Sequence, residues 1–408
     1  MNTIAPAAMT RENPSSPPDA NLTADDVVSA AKNLVPLLRE HAVRTDEERR
    51  IPDEVYRAVQ EAGLLHILKP KKYHGLELSE HEHARVVMEL AKGCASTAWV
   101  VSILSSDNMA ILSYPEQTQD EIWADDSYAT LAGNTNLNPK AKTERVSGGY
   151  RLSGSWGFCS GSDFSEWLIF NAPVGEDGEG HMFLLPREDV GTVDDWTPTG
   201  LRGTGSRTKV VDDVFVPDHR IMKTSETVDK LQERRSLHPT FDALYAPWPS
   251  YGRFSFAGVG LGAALGASDQ FAATAGSSSR VANALGGRVR LADQDYIATE
   301  FADIMGELEM AQRQVEYRSR VAAEQAAQHI SPSEKDLAIQ IRDNSLVARV
   351  ALEATQRLQM IVGAKAGFPA HYASRAKRDA EMVASHVTLN WRQASVRYLS
   401  AAIEEGSA

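Results

Sequence analysis

Cysteine is scarce: Cys94 and Cys159 are the only two in 408 residues. That excludes a disulfide framework and any Cys-rich metal site, and a reducing cytoplasm is the default compartment. No apolar run approaches the ~20 residues needed to span a bilayer, so no membrane is expected. Residues 1–21 are rich in Pro, Ser and Asn with no apolar core segment, which reads as a disordered lead-in and not a secretory signal. Positive charge is in deficit, with 42 Lys and Arg against 55 Asp and Glu and a net charge of -13. That balance argues against nucleic acid as the main partner. No G-x-G-x-x-G follows an apolar strand, so direct oxidation of NAD(P)H is not expected. His81 and His83 flank Glu82, but i, i+2 spacing sends them to different helix faces and H-E-x-x-H is missing. No metal is expected.

What is present falls into blocks. Residues 22–125 carry helical periodicity, opened by Thr23 as an N-cap with Asp25 and Asp26 behind it, where acids favour the helix dipole. Residues 126–225 change texture to short apolar runs split by Gly, Asn, Asp and Pro, the pattern of an antiparallel β unit built from hairpins. A Pro- and aromatic-bearing connection spans 226–254, and residues 255–408 return to helical period with few breakers, consistent with a bundle of four or five long helices. The fold class is α+β, with an N-terminal helical domain, a central antiparallel β domain and a C-terminal helical bundle. Ligand sites favour interfaces between such units.

Within the β block, Trp156-Gly157-Phe158-Cys159-Ser160-Gly161 sets two rings and a hydroxyl among exposed backbone positions. A flat ligand with one apolar end and one acceptor-rich end needs such a lining. The competing reading is a hairpin whose Trp and Phe are core.

Three stretches together resemble the acyl-CoA dehydrogenase superfamily: "GGYRLSGSWGFCSGSDFSEWLIF", "GLRGTGSRTKVVDDVFVPDHRIM" and the late "GAKAGFPAHYASRAKRDAEMVASHVTLN". The resemblance runs from about residue 22 through nearly the whole chain. Dehydrogenases usually follow "RD" with a helix carrying a Glu-Gly-Thr base motif. Here "RDAEMVASHVTLNW" offers His386 instead, which is similar to the flavin-dependent monooxygenase branch. Its members include the oxygenase components of 4-hydroxyphenylacetate and phenolic-steroid hydroxylases, with relatives acting on indoles and thiophenes.

The resemblance implies a two-component enzyme. Reduced FMN or FAD from a separate NAD(P)H-flavin reductase and O2 as cosubstrate would hydroxylate a small apolar aromatic compound through a C4a-hydroperoxyflavin. A homotetramer is implied as well. Trp156, Phe158 and Ser160 would line the flavin ring, with Ser160 at its N5 edge, and Asn134 and Asn136 would pair with its pyrimidine. A polar loop is the plain alternative for the two asparagines. His386 is the main catalytic candidate, since an imidazole can donate to a peroxide or accept a phenolic proton; the plain alternative is a histidine packed on a bundle helix. Phenol hydroxylases often carry a His where this chain reads Asp107 and Asn108. Asp107 could serve as a base, and Asn108 could only hydrogen-bond the substrate. Candidates for the flavin phosphate are Ser277, Arg280, Arg288 and Arg290, some acting on a neighbouring subunit. Arg202 and Ser206 are possible ligand contacts. Tyr245, Trp248, Tyr251 and Phe254 form a substrate wall or, equally, a packing staple. The rival functions are an acyl-CoA dehydrogenase feeding a carrier flavoprotein, and a non-enzymatic flavin- or small-molecule-binding protein.

Overall fold

The computed structural model describes residue 14 and residues 16–247, 253–281 and 287–406. Six helices come first: α1 (Ala24–Glu48), α2 (Asp53–Glu61), α3 (Glu80–Ala91), α4 (Ala95–Ser106), α5 (Asn108–Ile111) and α6 (Glu116–Trp123). Capping boxes start two of them. Thr23 and Asp26 exchange hydrogen bonds at α1, and Ser79 and Glu82 do so at α3, each pairing N-terminal amides the helix leaves unpartnered. Among the described residues no helix is long and apolar enough to cross a membrane.

The β unit holds β1 (Leu131–Leu137), β2 (Lys142–Val146), β3 (Gly149–Trp156), β4 (Trp167–Val174), β5 (Glu179–Pro186), β6 (Gly191–Val193), β7 (Thr208–Pro217) and β8 (Ile221–Lys223). They form two four-stranded sheets, ordered β1-β4-β5-β8 and β2-β3-β7-β6. One pairing departs from the antiparallel expectation: β1 runs parallel to β4. The chain between them detours through the β2–β3 hairpin of the other sheet, and that crossover lets β4 return in the same direction.

After α7 (Thr227–Glu233) comes α8 (Arg253–Ala275), then a small hairpin of β9 (Ser279–Val281) and β10 (Arg288–Arg290). The helices α9 (Asp295–Ala327), α10 (Glu334–Val362), α11 (Tyr372–Ala384) and α12 (Trp391–Gly406) complete the chain. The central helix is α8, packed on α3, α4, α9, α10 and α11. It carries the N-terminal and C-terminal helices on one shared core, so the two helical blocks act as one body around the β insertion.

Candidate active site

Three motifs that lie far apart in sequence meet at one seam. The Gly161 amide donates to the Thr204 carbonyl at 3.1 Å, which ties the Trp-Gly-Phe-Cys-Ser-Gly loop to the Gly-Leu-Arg-Gly-Thr-Gly-Ser loop. That second loop is held by α11: the Leu201 amide donates to Asp379 Oδ1 at 2.6 Å. Burial pushes the Asp379 carboxyl up to about 6. The loop also lies against helix backbone. A Cβ at Gly200 would stand 2.1 Å from the Arg378 carbonyl oxygen, and one at Gly203 would stand 2.2 Å from Thr45 Cγ2. Both glycines are therefore required by close packing.

The seam is walled by Trp99 on α4 and Phe256 on α8, whose rings stack with centroids 4.6 Å apart. His386 meets both edge-on, at 5.2 Å from each. The Trp99 indole N–H donates to Ser160 Oγ at 3.2 Å, which joins the aromatic wall to the β loop. His386 caps a short turn, and its Nδ1 accepts from the Thr388 amide at 3.4 Å beside the Thr388 hydroxyl at 2.9 Å. An amide can only donate, so Nδ1 is the acceptor and the neutral ring carries its proton on Nε2. Burial lowers the imidazole below its ordinary range, which keeps it neutral near pH 7.

Asp107 follows the last turn of α4. At 100° per residue it shares a helix face with Ser96, Trp99, Val100 and Ile103. That face meets the two loops: the Gly203 amide donates to Ser96 Oγ at 3.2 Å, and Val100 and Leu104 are the neighbours of Gly161. Burial raises the Asp107 carboxyl to about 7. Asn108, one position on, turns the other way. It is fully buried and donates to the Leu65 carbonyl at 3.1 Å. The expected substrate contact by Asn108 is thereby corrected: it is a core residue pinning α5 to the segment after α2.

The family model described as acyl-CoA dehydrogenase, N-terminal domain matches residues 23–127, and that described as acyl-CoA dehydrogenase, C-terminal domain matches residues 254–391. The chain is 32% identical to the flavin-dependent monooxygenase oxygenase subunit HsaA of Rhodococcus jostii (strain RHA1), over 72% of this chain and 77% of that protein. The chain belongs to the acyl-CoA dehydrogenase family. Within that family it is 29% identical to the oxygenase component of p-hydroxyphenylacetate 3-hydroxylase from Acinetobacter baumannii, over 87% of this chain and 83% of the relative. The solved structure of XiaF from Streptomyces sp., in complex with FADH2 and glycerol, superposes with a TM-score of 0.85 at 25% identity, covering 93% of this chain and 96% of that one.

One exposed aromatic ring on the β loop suits the flat flavin of the family. Phe158 holds a left-handed backbone (φ 57°) and leaves its ring 73% exposed beside Trp196. A large apolar ring held out in a disfavoured conformation marks a surface that a flat ligand would cover. Asn134 donates to the Gly157 carbonyl at 2.8 Å and accepts from Asn136, so the pair braces the loop from β1. Trp156 is corrected to a core role. Only 2% exposed, it stacks on Phe170 at 4.6 Å and donates to the Asn171 carbonyl. Its strand position points it between the sheets, because alternate β3 residues face inward.

Other expected contacts lie elsewhere. Phe254 is buried, and it is Phe256, on another face of α8, that reaches His386. Tyr245 stacks on His329 at 3.5 Å beneath the Arg235 guanidinium, a junction at the end of α9. Arg202 spends its guanidinium on the Asp46 and Pro198 carbonyls, so it anchors α1 and is not free for a ligand. Ser277 donates to the Thr274 carbonyl, Arg288 to Ser279, and Arg290 pairs with Asp293. All three follow the far end of α8, about 28 Å along the helix from Phe256 at ~1.5 Å per residue. Trp248, Tyr251 and the Arg280 side chain lie outside the described residues. Nor do His81 and His83 converge: His81 meets Ser319 at 2.8 Å, and burial lowers His83 to about 3.

The residues that sequence reasoning missed are Trp99, Phe256, Ser96, Thr204 and Asp379. Both α4 and the start of α8 are buried nearly all round. Their apolar pattern therefore has no polar face against which a site-facing residue would stand out.

Proposed function

We infer that this chain is the oxygenase component of a two-component flavin-dependent monooxygenase that hydroxylates a small aromatic or heteroaromatic compound. The observation that carries this is the His386–Trp99–Phe256–Ser160 cluster at the junction of both helical blocks with the β loop. Bound reduced flavin, FMN or FAD, would activate dioxygen and supply one oxygen atom to the substrate. Phe158 and Ser160 would hold the ring, with Asn134 and Asn136 bracing their loop.

The stacked Trp99 and Phe256 form an apolar wall for a planar substrate and exclude water from it. His386, neutral and protonated on Nε2, donates there. Asp107, raised to about 7, exists near neutral pH as both acid and base and so accepts from a ring O–H or N–H. The relatives' names, oxygenase subunit and oxygenase component, support a separate NAD(P)H-flavin reductase as partner. Val396, Leu399 and Ile403 line one exposed stripe of α12, which supports a homo-oligomer, a tetramer by family resemblance. In such an assembly Ser277, Arg280, Arg288 and Arg290 would bind the flavin phosphate of a neighbouring copy. Two buried free cysteines fit a cytoplasmic setting.

The test is turnover of phenols and indoles with a flavin reductase under heavy-isotope dioxygen. One labelled oxygen atom per product supports the reading. Thioester-dependent flavin bleaching without reductase would instead establish the acyl-CoA dehydrogenase that the relatives do not favour.

A further inference from the structure

A line of polar groups crosses the seam. It runs from Trp99 Nε1 to Ser160 Oγ at 3.2 Å, to Ser206 Oγ at 2.6 Å, to Thr204 Oγ1 at 2.7 Å, and ends on the Leu201 carbonyl at 2.8 Å. Oxygen–oxygen distances leave the hydroxyl protons unassigned, but the two ends assign them. A carbonyl only accepts, so Thr204 gives its one proton to Leu201. Thr204 then accepts from Ser206, and Ser206 from Ser160. An indole N–H only donates, so it occupies one lone pair of Ser160. What remains on Ser160 is a single acceptor lone pair and no free proton.

The terminus is firmly held. Leu201 adopts a left-handed backbone (φ 49°), and Asp379 grips its amide at 2.6 Å. Its carbonyl also receives the Trp196 indole N–H and the Thr204 amide, each at 3.2 Å. The Thr204 hydroxyl is the shortest of the three contacts. Ser206 and Thr204 are buried, so water does not compete for their protons.

We propose that Ser206 and Thr204 are positioning residues that draw the Ser160 proton away from the flavin, leaving the site an acceptor that favours a ring nitrogen bearing hydrogen. Rested on the flavin reading above, this makes the relay a redox discriminator. A reduced flavin carries hydrogen on N5 and can donate to Ser160. An oxidised flavin offers only a lone pair there, which repels one.

The experiment measures anaerobic dissociation constants for reduced and for oxidised FMN, by fluorescence or calorimetry, without turnover. The wild-type protein should prefer reduced FMN by about tenfold or more, the factor that one net hydrogen bond supplies. Ser206→Ala frees the Ser160 hydroxyl to donate, so oxidised FMN should bind more tightly and the ratio should fall towards unity. Thr204→Val, nearly the same shape, lets Ser206 donate back to Ser160 and should give the same collapse. Ser160→Ala should instead weaken the reduced form alone. An unchanged ratio in both Ser206→Ala and Thr204→Val, with melting temperatures near wild type, overturns the relay while leaving the flavin site standing. Failure of the wild-type protein to bind either form overturns the flavin reading and the relay together.

Discussion

Trp99 and Asp107 stand about two turns apart on one face of α4, and their polar groups are treated differently. The Trp99 indole N–H is satisfied by Ser160, and its ring is packed against Phe256 and His386. No hydrogen bond to the Asp107 carboxyl is found among the described residues, and burial holds it near 7. The satisfied end is scaffold, a wall whose position is set before any ligand arrives. The half-buried Asp107 end is held by no such contact, and its carboxyl is the proton acceptor proposed above.

The sharpest way to break this comparison is His386→Ala. Removing the Nε2 donor should cut product formed per reduced flavin by about 10²–10⁴-fold, with flavin affinity within a few-fold, as measured by product yield and flavin titration. Next, the two aromatics of the β loop should part company. Trp156→Ala should cost about 3–5 kcal/mol of stability, whereas Phe158→Ala should stay within about 0.5 kcal/mol and instead weaken flavin binding. Denaturant melts and flavin titrations of the two variants separate these effects. Asp107→Asn keeps the shape but loses the acid–base function. It should raise the substrate KM or lower coupling by about tenfold and remove any inflection near pH 7 from the rate profile.

The smallest effect is on stability against pH. The folded carboxyl of Asp107 sits above its ordinary value of 3.8, so the folded state binds its proton more tightly than the unfolded state does. Wild-type stability from this group is thus greatest below about 4 and declines as pH rises to about 7. The melting temperature of Asp107→Asn relative to wild type should therefore climb between pH 5 and pH 8 and level off above. A flat difference would mean the carboxyl is solvated.

Much of the fold was legible because its signals are local. The Thr23 N-cap, the strand-length apolar runs and the breaker-poor C-terminal third each reflect short-range physics. The parallel β1–β4 pair was not, since the direction of a crossover is decided by tertiary routing. At the site, the two loop motifs and His386 stood out in the sequence, and the structure brings them to one seam. Which neighbour faces inward was not legible. Asp107 and Asn108, or Phe254 and Phe256, differ only in helix phase, and a helix apolar on every side conceals its phase. Trp156 was misjudged for the same reason in β form: strand parity, and not residue type, sends it between the sheets.

The most direct test of the account mixes the anaerobic complex of protein and reduced flavin with oxygenated buffer and follows flavin absorbance. A protein-dependent slow phase in flavin reoxidation is expected, shortened in His386→Ala and unaltered by Tyr245→Phe at the α9 junction. A trace that superimposes on the autoxidation of free flavin would contradict it.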